Sequence, residues 1–133
     1  MKKELLDLLK YRLGRARESL EEGVVLLERG SLAGAANRFY YAAFYAARAL
    51  LATKELDSAR HSGVISLFHQ HFVKTQIIDV EKSKALSRSF EKRQDSDYED
   101  FVSLTREEVS SIKLTVEAFI KECEKALKNM GVI

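Results

Sequence analysis

Hydrophobic residues recur along most of this chain at steps of three and four, the spacing that brings them to one face of an α-helix. In the first such stretch, Lys3 to Glu28, the expected apolar stripe consists of Leu5, Leu9, Leu13, Ala16, Leu20, Val24 and Leu27. Gly30 follows as a residue type that ends helices, and Ser31 as one that caps the next helix. The pattern therefore predicts two helices joined by a short turn.

Two further periodic stretches predict a third and a fourth helix. The third is expected to begin near Ser58 or His61, with an apolar stripe of Val64, Ile65, Phe68 and Phe72. Asp79 is a residue type that caps helices, so the fourth helix should begin directly after it and end near Asp100. This fourth helix carries Leu86 and Phe90.

Thr105 and Glu108 have the spacing of a capping box, which predicts the start of a fifth helix. Its apolar side is expected to consist of Val109, Ile112, Val116, Phe119, Cys123 and Leu127. The sequence has no proline and only six glycines, which suits long helices with short connections. We therefore predict an all-α fold, an up-and-down bundle of four to five helices in which residues 1–133 form a single domain.

The second predicted helix, Leu32 to Thr53, is apolar on nearly every side, which indicates a central, buried position. Its broad apolar arc consists of Ala36, Phe39, Tyr40, Ala43, Ala47, Leu50 and Leu51. The opposite side carries a mixed set that we call the tyrosine–arginine face: Asn37, Arg38, Tyr41, Tyr45 and Arg48.

The two arginines of this face need partners, because a buried unpaired charge costs several kcal/mol. Internal pairing would use acids of the fourth helix such as Asp97, Glu99 or Asp100. Arginine and tyrosine also dominate protein interfaces, and they bind phosphates and stack on bases. We rank internal or dimer packing first, docking of a partner protein second, and binding of a nucleotide or RNA third.

Composition narrows the setting in which the protein works. Hydrophobic residues make up 46% of the chain, too many for a disordered protein. No apolar run approaches the ~18 residues of a membrane span, and the N-terminus lacks the features of a signal peptide. The single cysteine, Cys123, fits a reducing compartment, so a cytoplasmic location is expected. The formal net charge of +2 favours no particular partner.

No cofactor or metal site is predicted. His69 and His71 are two residues apart and would point to nearly opposite sides of a helix, whereas helical metal ligands prefer a spacing of four. Cys123 lies on an apolar stripe and is interpreted as a core residue. Gly63 stands alone after Ser62, which is weak evidence of a phosphate loop.

Three segments in order resemble the HEPN family, named for higher eukaryotes and prokaryotes nucleotide-binding. They are AANRFYYAAFYAARALL (35–51), HSGVISLFHQHFVKT (61–75) and FEKRQDSDYED (90–100). The similarity is greatest to the small prokaryotic branch, in which the domain is the whole protein. The resemblance implies a helical bundle that dimerises and that is paired with a minimal nucleotidyltransferase in a toxin–antitoxin-like system.

Many HEPN proteins are metal-independent ribonucleases, and their motif is an arginine and a histidine separated by four to six residues. Arg93 matches the arginine, but positions 98–100 hold Tyr98, Glu99 and Asp100. A tyrosine with a pKa near 10 is a poor general base, and a carboxylate repels phosphate. The resemblance therefore implies an interaction protein that lacks the family's nuclease chemistry.

An atypical ribonuclease or nucleotide-binding protein remains the alternative, with Arg93, Tyr98 and His61 as candidate residues. His61 would begin the third helix, where packing is the favoured interpretation over proton transfer. Asp97 lies four residues after Arg93, so an intrahelical ion pair between them is favoured, with Arg93 as an anion anchor at a dimer cleft as the alternative. Arg93 and Asp97 are therefore added to the tyrosine–arginine face as a candidate surface for an anion, a nucleotide or a partner protein. In paired systems of this family a tyrosine beside the motif can receive an adenylyl group, and Tyr98 occupies that place.

Overall fold

The computed structural model describes the backbone of residues 1–98 and 103–133, and their side chains apart from those of 96–98. Five α-helices follow one another: α1 (Lys3–Glu28), α2 (Leu32–Ala52), α3 (His61–Phe68), α4 (Val80–Tyr98) and α5 (Arg106–Asn129). A single π-helical turn, His69–Val73, continues α3. The predicted all-α bundle is confirmed. None of the described helices is long and apolar enough to cross a membrane.

The turn between α1 and α2 forms where the glycine predicted it. Gly30 has a φ of +80°, and its N–H donates to the carbonyl of Leu27 at 3.0 Å. The N–H of Ser31 donates to the carbonyl of Leu26 at 2.9 Å, which completes a Schellman motif. The cap predicted for Ser31 is wrong in one respect, because its side chain makes no capping hydrogen bond.

The side of α1 that faces the core differs from the predicted stripe. Leu9, Ala16 and Leu27 are buried as expected, but Leu13, Leu20 and Val24 are only partly buried. Small or polar residues share the buried side with them, namely Arg12, Ser19 and Gly23. The reason is close packing: a Cβ at Gly23 would lie 2.6 Å from the ring of Phe39, so α2 approaches α1 where the side chains are smallest.

The central position predicted for α2 is confirmed. Thirteen of its 21 residues are buried, and it contacts α1, α3, α4 and α5. The whole predicted apolar arc is buried, together with Ala35, Ala42, Phe44, Ala46, Ala49 and Ala52. Because alanine side chains are small, the backbones of several helices can approach α2 closely.

The remaining helices follow the predicted boundaries closely. α3 begins at His61, α4 begins directly after Asp79, and the predicted end of α4 near Asp100 lies outside the described residues. The predicted capping box is confirmed: the N–H of Glu108 donates to Thr105 Oγ1 at 3.1 Å, and that hydroxyl donates to the Glu108 carboxylate at 3.2 Å. All six residues predicted for the apolar side of α5 are buried.

Candidate functional site

The tyrosine–arginine face runs along the one side of α2 that neighbouring helices leave partly open. All five of its residues are half-buried: Asn37, Arg38, Tyr41, Tyr45 and Arg48. Guanidinium groups and aromatic rings alternate along it. Arg38 lies over the ring of Tyr41 at 5.1 Å, and Arg15 of α1 lies over the ring of Tyr45 at 5.3 Å. These distances are those of cation–π contacts.

Arg93 joins this face from α4. Its guanidinium carbon lies 5.7 Å from the ring centre of Tyr40 and 5.6 Å from that of Tyr41. Arg93 therefore lies beside the tyrosine–arginine face, against the rings of Tyr40 and Tyr41. Two consecutive tyrosines hold the arginine, one from the buried arc of α2 and one from its open side.

His61 is the second group that the fold brings to the cluster. Its ring stacks on Phe44 with centroids 4.6 Å apart and lies nearly parallel to Phe90 at 6.1 Å. Its Nδ1 is 2.5 Å from the hydroxyl oxygen of Tyr40. The same histidine lies 5.8 Å from the ring of Tyr41, so both His61 and Arg93 contact the Tyr40–Tyr41 pair.

The hydrogen bond to Tyr40 determines which imidazole nitrogen carries a proton. The side chain of Tyr40 is fully buried, and burial raises the pKa of its hydroxyl, so this group stays protonated. Its hydrogen-bond partner among the described residues is His61 Nδ1, and when the hydroxyl donates to this atom, the proton of the neutral imidazole lies on Nε2. In this state His61 donates from Nε2 and has no ring nitrogen available as a base.

The surroundings also keep His61 uncharged. Burial lowers the pKa of its imidazole, and the positive charges of Arg93 and Arg48 lower it further. A neutral histidine stacked on phenylalanine is the packing role favoured from the sequence. Its Nε2–H remains a donor for a ligand oxygen.

Among the described residues, the partners of Arg38 and Arg48 come from α1, from α2 and from the α2–α3 connection. Arg48 pairs with Asp57 in the α2–α3 connection, with Nη2 to Oδ2 at 2.8 Å and Nε to Oδ1 at 3.2 Å. Arg38 donates to its neighbour Asn37 at 2.7 Å and lies 3.7 Å from the Glu22 carboxylate. The proposed acids of the fourth helix and the side chain of Tyr98 lie outside the described residues, so the expected pair of Arg93 with Asp97 stays a prediction.

Asp57 also supports a buried arginine of α1. Arg12, only 6% exposed, donates to Asp57 Oδ2 at 3.2 Å and to the backbone carbonyl of Arg48 at 2.9 Å. Burial and the charge of Arg48 lower the pKa of Arg12, and Asp57 opposes this change. Burial alone would raise the pKa of Asp57, but hydrogen bonds from Arg48 and the Ser58 backbone, with both arginine charges, lower it overall.

Sequence reasoning missed four contributors to this site: Tyr40, Phe44, Asp57 and Phe90. Tyr40 was assigned only to the core arc, although a tyrosine hydroxyl that is buried requires a hydrogen-bond partner. This requirement was the feature of the sequence that could have indicated a polar partner for Tyr40. Asp57 lies in a connection, where no helical periodicity predicts its contacts.

The family model for the HEPN domain matches residues 9–126, nearly the full bundle. This chain belongs to the HEPN-domain family. It is 37% identical to a "UPF0332 protein" of Thermotoga maritima, over 92% of this chain and 93% of that protein. It is also 31% identical to "Putative toxin MJ0142" of Methanocaldococcus jannaschii, over 99% of this chain and 87% of that protein. A second such protein of the same archaeon is 32% identical over 98% and 96% of the two chains.

In this HEPN protein, Asp57→Asn tests how much the carboxylate of Asp57 stabilises the buried guanidinium of Arg12. We expect the free energy of unfolding at pH 7 to fall by about 2 kcal/mol, less than for a fully buried pair because Asp57 remains half exposed. Since the pKa of Asp57 is lowered by folding, its contribution is present at neutral pH and is lost as the pH falls through about 4 and below. Urea unfolding at several pH values measures both effects.

Glu81→Gln is the matched control, because Glu81 forms an exposed i,i+3 pair with Lys84. We expect it to change the free energy of unfolding by less than about 0.5 kcal/mol. Equal stability of wild type and Asp57→Asn at pH 7 would contradict the role given to Asp57.

The imidazole of His61 is expected to titrate below the ordinary value of about 6.5, and Arg93→Gln should raise its pKa by removing a nearby charge. In the wild type, the imidazole of His61 binds a proton more readily in the unfolded chain than in the folded one. The free energy of unfolding should therefore fall as the pH drops below about 6.5. NMR titration of the His61 ring measures the pKa, with Arg29→Gln at the far end of α1 as control. A midpoint above 6.5 in the wild type would contradict this account.

Proposed function

We propose that this HEPN protein is the toxin-like member of a toxin–antitoxin-like pair, that it acts as a homodimer, and that its partner is a small nucleotidyltransferase. Two archaeal relatives of similar length have the word toxin in their names, which supports the role. The resemblance of 35–100 to the small prokaryotic HEPN branch supports the partner. We further propose that residues 1–133 act as one domain, in the cytoplasm.

The observation that carries the dimer is the composition of the tyrosine–arginine face. Tyr41, Tyr45 and Arg93 form a continuous half-buried surface of rings and guanidinium groups. Tyrosine and arginine are the residue types that contribute most to protein interfaces. A second copy placed on this face would bury the rings and would bring two copies of Arg93 near one another.

The chemistry of the site favours interaction over cleavage. Tyr98, Glu99 and Asp100 stand where the nuclease histidine of the family would be. The histidine that the fold does bring in, His61, has its Nδ1 in a hydrogen bond with the hydroxyl of Tyr40. A proton-abstracting group for a ribose hydroxyl would require this hydrogen bond to rearrange.

The double variant Tyr41→Ala/Tyr45→Ala should weaken the homodimer by about a hundredfold, since each tyrosine at an interface hot spot contributes more than about 1 kcal/mol. Sedimentation velocity across a concentration series measures the dissociation constant. Leu114→Ala on α5 is the matched control, because Leu114 is a large apolar residue that is 64% exposed and belongs to another helix. A wild-type chain that stays monomeric at all concentrations would refute the proposal.

An atypical metal-independent ribonuclease or nucleotide-binding protein is the second candidate. The observation favouring it is that His61 and Arg93 both contact the rings of Tyr40 and Tyr41. An arginine could hold a phosphate there while the Nε2–H of His61 donates to an oxygen. Tyr98 remains part of this candidate by sequence alone.

Incubation of the purified protein with labelled RNA in EDTA distinguishes the two candidates. Under the leading proposal we expect no cleavage above that seen with Arg93→Ala. Cleavage by the wild type that is lost in both Arg93→Ala and His61→Ala, and kept in Arg29→Ala, would establish the ribonuclease instead. A thermal-shift titration with ATP tests nucleotide binding in the same samples.

A further inference from the structure

His61, the first residue of α3, fixes this end of the helix to two other helices. Its ring stacks on Phe44 of α2 with centroids 4.6 Å apart and lies nearly parallel to Phe90 of α4 at 6.1 Å. The helix has few other anchors, because its buried residues are Val64 and Phe68 and its N-terminus lacks a side-chain cap. The placement of His61 therefore decides how firmly the first turn of α3 is held.

His61 also forms a hydrogen bond that an added proton disturbs. Its Nδ1 lies 2.5 Å from the hydroxyl of Tyr40, whose side chain is 0% exposed. When Nε2 carries the hydrogen of the neutral ring, Nδ1 is the atom that takes up the next proton, and the Tyr40 hydroxyl can then no longer donate to it. Among the described residues, Nδ1 is the hydrogen-bond partner of this hydroxyl. Protonation of His61 therefore leaves a buried O–H without its acceptor, which is destabilising.

The charges around His61 oppose the same proton. Burial, and then the positive charges of Arg93 on α4 and Arg48 on α2, lower the pKa of its imidazole. In the α2–α3 connection, Arg60 adds a cation directly before His61. Asp57, the acid of this connection, already pairs with Arg48 and with a buried arginine of α1. The positive end of the α3 dipole lies at His61 as well, so the described surroundings favour the neutral ring.

The rings that contact His61 also hold part of the candidate site. Tyr41 of the tyrosine–arginine face lies 5.8 Å from the His61 ring. Arg93 lies 5.7 Å from the ring centre of Tyr40 and 5.6 Å from that of Tyr41. A movement of His61 therefore changes the packing of the two rings against which Arg93 lies.

We propose that the Tyr40–His61 hydrogen bond is a pH-sensitive switch for the first turn of α3 and for the adjoining tyrosine–arginine face. While His61 is neutral, it fixes α3 to α2 and α4. Its ring is half-buried, so it can take up a proton from solvent, and it then leaves the stack and opens the N-terminal end of α3. The switch belongs to the single chain, whereas its effect on a homodimer rests on the proposed function.

The direction of the pH dependence follows from the preference for a neutral ring. In the open arrangement His61 titrates near the ordinary value of about 6.5, and in the closed arrangement it titrates lower. The closed arrangement is therefore most stable above about pH 6.5 and loses stability as the pH falls below it.

Amide hydrogen exchange of the full chain, read by NMR at about pH 7.5 and about pH 5.0 and corrected for the intrinsic rate at each pH, tests the switch. We expect the protection factors of residues 64–66 to fall by at least about tenfold at the lower pH, while those of α5 stay within about twofold. His61→Gln does not titrate, so its protection in α3 should be the same at both pH values. His69→Gln, which removes an exposed histidine of the π-helical turn, is the matched control and should behave like the wild type.

Tyr40→Phe separates the hydrogen bond from the surrounding charges. The variant keeps an aromatic ring but removes the hydroxyl that binds Nδ1. The NMR titration midpoint of His61 should therefore rise above that of the wild type, and the loss of protection in α3 should begin at a higher pH. A midpoint equal to that of the wild type would overturn the role given to this bond.

The remaining outcomes separate the switch from the proposed function. Unchanged protection of α3 in the wild type, or the same change in His61→Gln, overturns the switch. An equal loss of protection in α3 and α5 overturns it too, because the whole chain then unfolds. In sedimentation velocity at both pH values, a homodimer that weakens at the lower pH in the wild type but not in His61→Gln supports the effect on the face. A chain that opens α3 but is monomeric at both pH values refutes the homodimer and leaves the switch intact.

Discussion

The close packing of neighbouring helices around the alanine-rich α2 determines where the large polar residues of this helix lie. At Gly23 the ring of Phe39 leaves no room for a Cβ, and most of α2 is buried by α1, α3, α4 and α5. With respect to the residues that the structure describes, one side of α2 stays partly exposed and carries its large polar residues. Tyrosines and arginines occupy that side because their rings and stems can pack while their polar ends stay near the surface.

The guanidinium groups at this site are held by carboxylates, by a neighbouring amide and by aromatic rings. Asp57 joins Arg12 of α1 to Arg48 of α2, so one connection residue fixes two helices and neutralises part of their charge. Arg38 is held by Asn37, and rings cover the remaining guanidiniums of the face. A surface preordered in this way loses little conformational entropy when a second chain covers it.

The chain belongs to the HEPN family, and the residues at the family's motif position differ from the family pattern. Positions 98–100 hold a tyrosine and two carboxylates, and His61 shares a hydrogen bond with Tyr40 through its Nδ1. His61 and Arg93 both contact the rings of Tyr40 and Tyr41.

The sequence alone determined the local features: the helix boundaries, the central place of α2, the capping box at Thr105 and the missing histidine. Each depends on residues within about one helical turn, where periodicity and capping chemistry act. Only the tertiary structure decided that His61 and Arg93 contact the same two tyrosine rings, that Asp57 pairs with Arg48, and that the buried side of α1 includes Arg12 and Gly23. These contacts join residues far apart in sequence, and they follow from how side-chain volumes fit when helices pack, which a single periodic pattern does not specify.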